Sequence, residues 1–337
     1  MKLFKSYLIS LFLLLVLTSA GTVIYYNAQY PGIPGPILND FVRHTHVDEI
    51  QAQTPGIVLL GDSTLMFGVD EHSLETLLGE NIYMIGYPGS TSAIWYLITE
   101  DIATESTYHP PYLVIFFRYT MLTTPEYGVT GRLLPDVDDF ASQDDYLLLE
   151  LAYINPMNPV ERFAERYLPI YDQRQRILTS IEHVAKYVVV GNIVGEDRKA
   201  VDLAMDYVFD YENLFMLNIS EEILYTPEHM DFDRQINQSF LPEIIRLTRD
   251  NGIQLILVRV WTRPGSFPGD PDAMDAYSDS LGEYLKENNV ILLDFSRDER
   301  LIKDYFYDDV HMTEEGMAVF TNLLAKALSP ILEGNIP

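Results

Sequence analysis

Ile57-Val58-Leu59-Leu60-Gly61-Asp62-Ser63 is the stretch on which the fold turns. Four consecutive apolar residues followed at once by Gly-Asp-Ser read as a short buried strand that ends in a tight turn. Working outward, the pattern predicts a helix from Asp70 through Leu78. Two more strands follow, at Ile82–Ile85 before Gly86 and at Tyr112–Phe117 after Pro110-Pro111. Late in the chain Ile253–Val260 and Val290–Phe295 repeat the strand pattern. Each follows helix-like sequence, Leu241–Asp250 and Asp275–Asn288. Strands alternating with helices predict an α/β fold in three layers, a parallel sheet covered on both faces.

The 337 residues suffice for one large domain carrying an insertion, because single cores stop growing near ~250–300 residues. A formal charge of −28 repels phosphate backbones, which argues against a nucleic-acid partner. Having no cysteine removes disulfides, thiolate metal sites and cysteine nucleophiles together, and leaves Ser, His, Asp, Glu, Thr and Lys for chemistry. At the N-terminus Lys2 and Lys5 precede an uncharged stretch whose most apolar part is Tyr7–Tyr26, about the ~20 residues that cross a bilayer. Residues 1–26 therefore read as a transmembrane helix oriented N-in, with the rest of the chain outside a bacterial membrane. A cleaved signal peptide followed by secretion is the alternative, with Thr18-Ser19-Ala20 as the small residues a peptidase would need. Residues 27–54, with Tyr30-Pro-Gly-Ile-Pro-Gly-Pro36, read as a stiff spacer. The folded domain is expected over 55–330, interrupted at about 123–233 by a helical insertion that includes Pro159–Tyr167, Asp172–Val188 and Arg198–Phe209.

Two patterns carry chemistry. Ser63 directly follows a buried strand and precedes a helix, so its hydroxyl stands at the carboxyl edge of the sheet, where parallel α/β folds place their sites. Taken alone, Asp62-Ser63 reads equally as a turn and helix cap. Asp308-Asp309-Val310-His311 lies near the C-terminus, before Thr313 as N-cap of an apolar helix to Leu328. A carboxylate three residues before a histidine can accept its ring N–H and leave the other nitrogen free as a base, which is what a serine nucleophile requires. An isolated Asp-x-x-His reads equally as a solvated surface loop. The two patterns in this order, at the two ends of one α/β domain, reinforce each other.

Gly61-Asp62-Ser63 and Asp308-x-x-His311 together resemble the first and last blocks of the GDSL/SGNH hydrolase family, over roughly residues 56–120 and 240–330. The resemblance implies a flavodoxin-like sheet of the SGNH type. It also implies Ser63 as nucleophile, His311 as general base and Asp308 as its orienter, with no cofactor and no metal. The family's second block ends in an oxyanion-hole glycine, and Ile85–Ser92 matches it, with Gly89 as first choice and Gly86 second. The third block should be Gly-x-Asn-Asp, but Arg118, Tyr119, Thr120 and Met121 stand there and the asparagine is missing. Thr120 or Arg118 is then the candidate third donor beside the amides of Ser63 and Gly89.

This departure, with the anchor and the insertion, is similar to accessory proteins that O-acylate exported polysaccharides or teichoic acids. The expected function is a serine-dependent acyl ester hydrolase or O-acyltransferase acting on cell-envelope or exported carbohydrate esters. The alternative is a non-catalytic scaffold that binds polysaccharide or a membrane-bound O-acyltransferase. His44-Thr45-His46 with Asp48 has metal-like spacing but falls in the spacer. Arg259 at a strand end could point into the site, with a solvated or salt-bridged edge residue as the other reading, and the aromatics at 95, 96, 207, 211 and 261 read as packing.

Overall fold

The computed structural model describes residues 2–28, 30–32, 43–129, 137, 140–142, 145–152, 159–174, 176–177, 180 and 221–334. The chain divides into two compact units. One comprises Met1–Leu38, Thr130–Asp138 and Tyr153–Asn218. The other comprises Asn39–Val129, Asp139–Ala152 and Ile219–Pro337.

The second unit is the α/β domain. Its strands are β1 (Ile57–Gly61), β2 (Ile82–Gly86), β3 (Tyr112–Phe117), β4 (Gln254–Arg259) and β5 (Ile291–Asp294), all parallel in the order β2-β1-β3-β4-β5. This is the flavodoxin-like order, in which the chain reverses direction across the sheet between β1 and β3 and opens a crevice at their carboxyl ends. β1 is buried throughout and β3 and β4 nearly so, as strands covered on both faces must be, which is why they read as unbroken apolar runs. Side chains alternate across a strand. Ile57, Leu59, Val114, Phe116, Ile256 and Val258 share one core with Leu65, Leu74, Phe320, Leu324 and Leu328, from α3 (Ser63–Gly68), α4 (Glu71–Leu78) and a C-terminal helix, Glu314–Leu332. The alternate residues Val58, Leu60, Leu113 and Ile115 are equally buried and lie on the opposite face, which α5 (Ser92–Thr104) and α6 (Leu241–Asp250) cover. α7 (Pro271–Glu287) leads into β5, and Glu314–Leu332 is α8.

The helices start where their caps lie. Asp70 accepts from Ser73 N at 3.1 Å to open α4, and Thr313 accepts from Gly316 N at 3.2 Å to open α8. The boundary expected at Pro55 is too late, because α2 (Arg43–Gln53) occupies half of the expected spacer. Its two apolar residues, Val47 and Ile50, lie one turn apart and are both buried, while the polar remainder of the segment masks that single stripe in the sequence. Insertion residues begin after Val129 rather than at 123, and residues 139–152 return to the α/β unit. Helix Pro159–Tyr167 forms as expected. Residues 181–188 of the expected helix Asp172–Val188, and all of Arg198–Phe209, lie outside the described residues, as do Tyr207 and Tyr211.

In the first unit, α1 (Lys2–Tyr26) is long and apolar enough over Lys5–Tyr26 to cross a membrane. Phe12, Leu13, Leu14, Leu17, Ile24 and Tyr25 are exposed along it.

α8 begins against the backbone of Tyr305. A Cβ at Gly316 would lie 2.3 Å from Tyr305 O and 2.8 Å from Tyr305 Cβ. Gly316→Ala is therefore expected to destabilise the domain by about 1–3 kcal/mol, as overpacking does. Chemical denaturation of the two proteins checks this, with an unchanged midpoint as the contrary result.

Candidate active site

The turn after β1 is built by Asp62. Its Oδ1 accepts from Thr64 N at 2.8 Å and from Thr64 Oγ1 at 2.6 Å, which caps α3 and places Ser63 on its first turn. Asp62 is thus the cap, and the Ser63 side chain stands at the start of α3 beyond the carboxyl end of β1.

Opposite it, the loop before α8 is closed like a narrow hairpin. Thr313 N donates to Tyr305 O at 2.8 Å, Tyr307 N to His311 O at 3.1 Å, and Phe306 pairs with Met312. Inside this loop Asp308 Oδ1 accepts from Val310 N at 2.9 Å and His311 N at 2.7 Å. Its Oδ2 lies 2.7 Å from His311 Nδ1, and His311 Nε2 lies 2.8 Å from Ser63 Oγ. Burial pushes the Asp308 carboxyl up, but the bonds from the His311 ring and two backbone amides outweigh it and hold the group below the usual carboxylate range. An ionised carboxylate only accepts, so Nδ1 carries the imidazole proton and Nε2 is left to accept from Ser63. Phe67 meets the His311 ring edge-on at 5.1 Å and Tyr307 stacks on it at 5.7 Å, and the two are themselves 6.1 Å apart, so the imidazole is one member of a three-ring cluster.

The exit of β2 is tied to the same turn. Gly61 O accepts from Tyr87 N at 3.0 Å and from Ser90 Oγ at 3.0 Å, and Ser90 Oγ itself receives Trp95 Nε1 at 2.9 Å. Tyr87-Pro88-Gly89-Ser90 closes on a 2.9 Å bond from Ser90 N to Tyr87 O, with φ of +78° at Gly89. Proline second and a positive-φ glycine third are the residues a type II turn demands. Gly89 is thereby held beside the Ser63 turn through the shared Gly61 carbonyl. Gly86 instead ends β2 in register with Gly61.

At the exit of β3 the buried Arg118 guanidinium pairs with Glu221 and lies with Nε 3.9 Å from Asp62 Oδ2. Burial lowers the pKa of this cation, but Glu221 and Asp62 more than compensate and hold it charged. Burial pushes the neighbouring Tyr127 phenol up to about 12, against the pull of Arg118. Arg118 thus grips the cap of the Ser63 turn. Thr120 is corrected: its hydroxyl is fully buried and its one proton goes to Leu224 O at 2.8 Å, with Thr124 Oγ1 at 2.9 Å as the other partner. A hydroxyl has a single donor, so none remains for an oxyanion.

Glu221 and Tyr127 were not legible in the sequence, because each reaches the site from a distant segment without a local motif; Phe67, one turn after Ser63, and Tyr307, next to Asp308, are local but carry no residue pattern that marks them. The same holds for a second buried imidazole. His229 lies 2.7 Å from Glu126 Oε1 and 2.7 Å from Thr226 Oγ1. Arg259 pairs with Asp294 and bonds Ser278, as its strand-edge position suggested. His46 bonds the Tyr83 hydroxyl at 3.0 Å and stacks on Phe140. Trp95 and Tyr96 are core residues, and Trp261 packs against the core below α8.

No protein-family model matches the sequence, and no curated protein does. Solved structures do. A candidate acylhydrolase from Bacteroides fragilis is 15% identical, with a TM-score of 0.40 over 87% of this chain and 99% of its own. A GDSL-like lipase from Bacteroides thetaiotaomicron is 14% identical, with a TM-score of 0.39 over 87% and 98%. A lipase/acylhydrolase from Enterococcus faecalis is 14% identical, with a TM-score of 0.32 over 82% and 95%.

Two substitutions test this geometry. Thr120→Val strands a buried carbonyl and is expected to cost about 1–3 kcal/mol of stability while leaving the acylation rate within a few-fold of wild type; a large loss of rate at full stability would return Thr120 to the oxyanion. Asp308→Asn keeps an oxygen for the two amides but presents N–H to His311 Nδ1, which selects the wrong tautomer. A drop of about 10⁴ in kcat at an unchanged fold is the expected outcome.

Proposed function

We propose that this chain is a serine-dependent acyl ester hydrolase or O-acyltransferase, acting on cell-envelope or exported carbohydrate esters from the outer side of a bacterial membrane. The observation that carries the proposal is the unbroken relay from Ser63 Oγ through His311 to Asp308, at 2.8 and 2.7 Å. In this reading Ser63 Oγ attacks the ester carbonyl as its proton passes to His311 Nε2, and Asp308 stabilises the imidazolium. The oxyanion is received by the amides of Ser63 and Gly89. Arg118 is assigned the task of holding Asp62, and through it the turn that presents Ser63, because its charge is balanced by the Asp62 and Glu221 carboxylates. His311 then hands its proton to the leaving alcohol, and the acyl-serine is released to water or to a second alcohol. Aromatic rings from Phe67 and Tyr307 beside the imidazole suit a neutral acyl ester better than an anionic one.

A scaffold that only binds polysaccharide or an acyltransferase has no use for an aligned serine and imidazole, so the relay favours the enzyme. α1 is read as an N-in anchor: Lys2 and Lys5 precede the span and Tyr25 and Tyr26 close it, the arrangement in which aromatic rings mark the far interface. Its removal as a signal sequence would instead release the protein.

A fluorophosphonate probe is expected to label the wild-type protein and not Ser63→Ala, with turnover of a p-nitrophenyl ester falling by ~10⁴ or more in the variant. Labelling that survives Ser63→Ala overturns the assignment. Adding oligosaccharide acceptors during turnover separates the two outcomes, since a transferase passes the acyl group to the sugar and a hydrolase releases the free acid at an unchanged rate.

A further inference from the structure

The first unit carries an apolar face that the reaction does not use. On helix Pro159–Tyr167, Val160 is 76% exposed, Phe163 60% and Tyr167 42%, and Ile170 in the next turn of chain is exposed as well. At about 100° per residue, positions 160, 163, 164 and 167 form one stripe, while Glu161, Arg162, Glu165 and Arg166 take the remaining positions of the sequence. Phe163 and Tyr167 already touch, with ring centroids 5.0 Å apart, and the Arg166 guanidinium lies 5.7 Å from the Tyr167 ring. A stripe this apolar on a short charged helix is costly in water unless something covers it.

What covers it follows from where the helix is tethered. Gly32, six residues past the end of α1, donates its N–H to Arg166 O at 3.0 Å. The segment after the helix returns to α1 itself: Tyr26 Oη bonds Ser180 Oγ at 3.1 Å and donates to Arg176 O at 3.4 Å. Thr22, one turn further into the span, is buried. Tyr26 is the last residue of the span, so helix Pro159–Tyr167, tied through Arg166, and residues Arg176 and Ser180 are held at the depth where α1 leaves the bilayer. An apolar stripe held at that depth is continuous with the lipid-facing surface of α1.

We propose that helix Pro159–Tyr167 is an interfacial membrane helix, with Val160, Phe163, Tyr167 and Ile170 seated among the acyl chains and headgroups of the outer leaflet. It rests on reading α1 as a retained membrane span. The insertion then gives the anchor a second footing, a helix lying flat beside a helix that crosses. A flat helix with its apolar side down and charges up is a stable arrangement at this boundary, where long side chains such as Arg166 reach back to water.

The chain has no cysteine, so single cysteines can be labelled in the otherwise unaltered full-length protein. Leu14→Cys, Phe163→Cys and Glu165→Cys, the last about 200° further round the helix than Phe163, each carry bimane after reconstitution into phosphatidylcholine/phosphatidylglycerol vesicles. Retained fluorophosphonate labelling of Ser63 confirms that each variant is folded. Quenching by doxyl-labelled lipid and by aqueous iodide is then compared. The expected result is lipid quenching at 14 and 163, with iodide quenching several-fold stronger at 165 than at 163. Lipid quenching at 14 with iodide quenching at 163 overturns the interfacial helix and leaves the anchor standing. Iodide quenching at both 14 and 163 overturns the anchor and the interfacial helix together. Protection of 163 from both quenchers means that protein covers the stripe, which also overturns the proposal.

Discussion

The hydrogen bond between Ser63 Oγ and His311 Nε2 joins residues 248 positions apart, and most of the α/β unit exists to make it possible. A parallel sheet sends every strand's carboxyl end to the same edge, so the turn after β1 and the loop beyond β5 open on one side. The distance between them is then set by α8, which packs Phe320, Leu324 and Leu328 against the same core as Leu65 of α3 and Leu74 of α4. Apolar burial, non-directional in itself, brings the two segments to within about a turn of each other. Hydrogen bonds supply the remaining precision. Asp308 accepts from two amides before it meets the imidazole, so the carboxylate is already fixed when it orients the ring.

The surroundings of Asp62 show how a strongly acidic chain manages a carboxylate in its interior. Asp62 is buried and its carboxylate accepts from Thr64, and Arg118 is the nearby cation, itself balanced by Glu221. Such a cluster contributes little net stability compared with an apolar replacement, but breaking it leaves a buried charge, which costs several kcal/mol. The two carboxylates come from β1's turn and from the segment that returns at 221, so Arg118 joins the Ser63 turn to the far edge of the long excursion after β3. Thr120 reinforces that join through the Leu224 carbonyl.

Along α1 the large side chains are exposed, over a stretch long and apolar enough to be a membrane span or a signal sequence. Its polar ties are concentrated at the far end, where Tyr26 meets residues 176 and 180. The two units thus differ in where their apolar residues lie: buried in the α/β unit's core, and exposed along α1 in the other.

Local sequence determined every strand of the sheet to within a residue or two, because a parallel strand buried on both faces reads as a short apolar run bounded by turn residues. It also singled out Ser63, Asp308 and His311 as candidates, which the fold brings within hydrogen-bond distance, since a cap-forming Asp-Ser after a strand and an Asp-x-x-His before a helix are short-range patterns with short-range causes. Helix α2 escaped because its buried stripe is only Val47 and Ile50, too little periodicity to stand out from a polar linker. The tertiary structure alone decided the fate of the β3 exit. Arg118 and Thr120 were both reasonable donors by position, but their partners Glu221 and Leu224 lie 103 and 104 residues away. Which hydroxyl proton is already committed, and which cation is already paired, depends on contacts between distant segments. No local pattern encodes them, because they are set only when the core closes and leaves each buried polar group to find whatever partner the packing brings within reach.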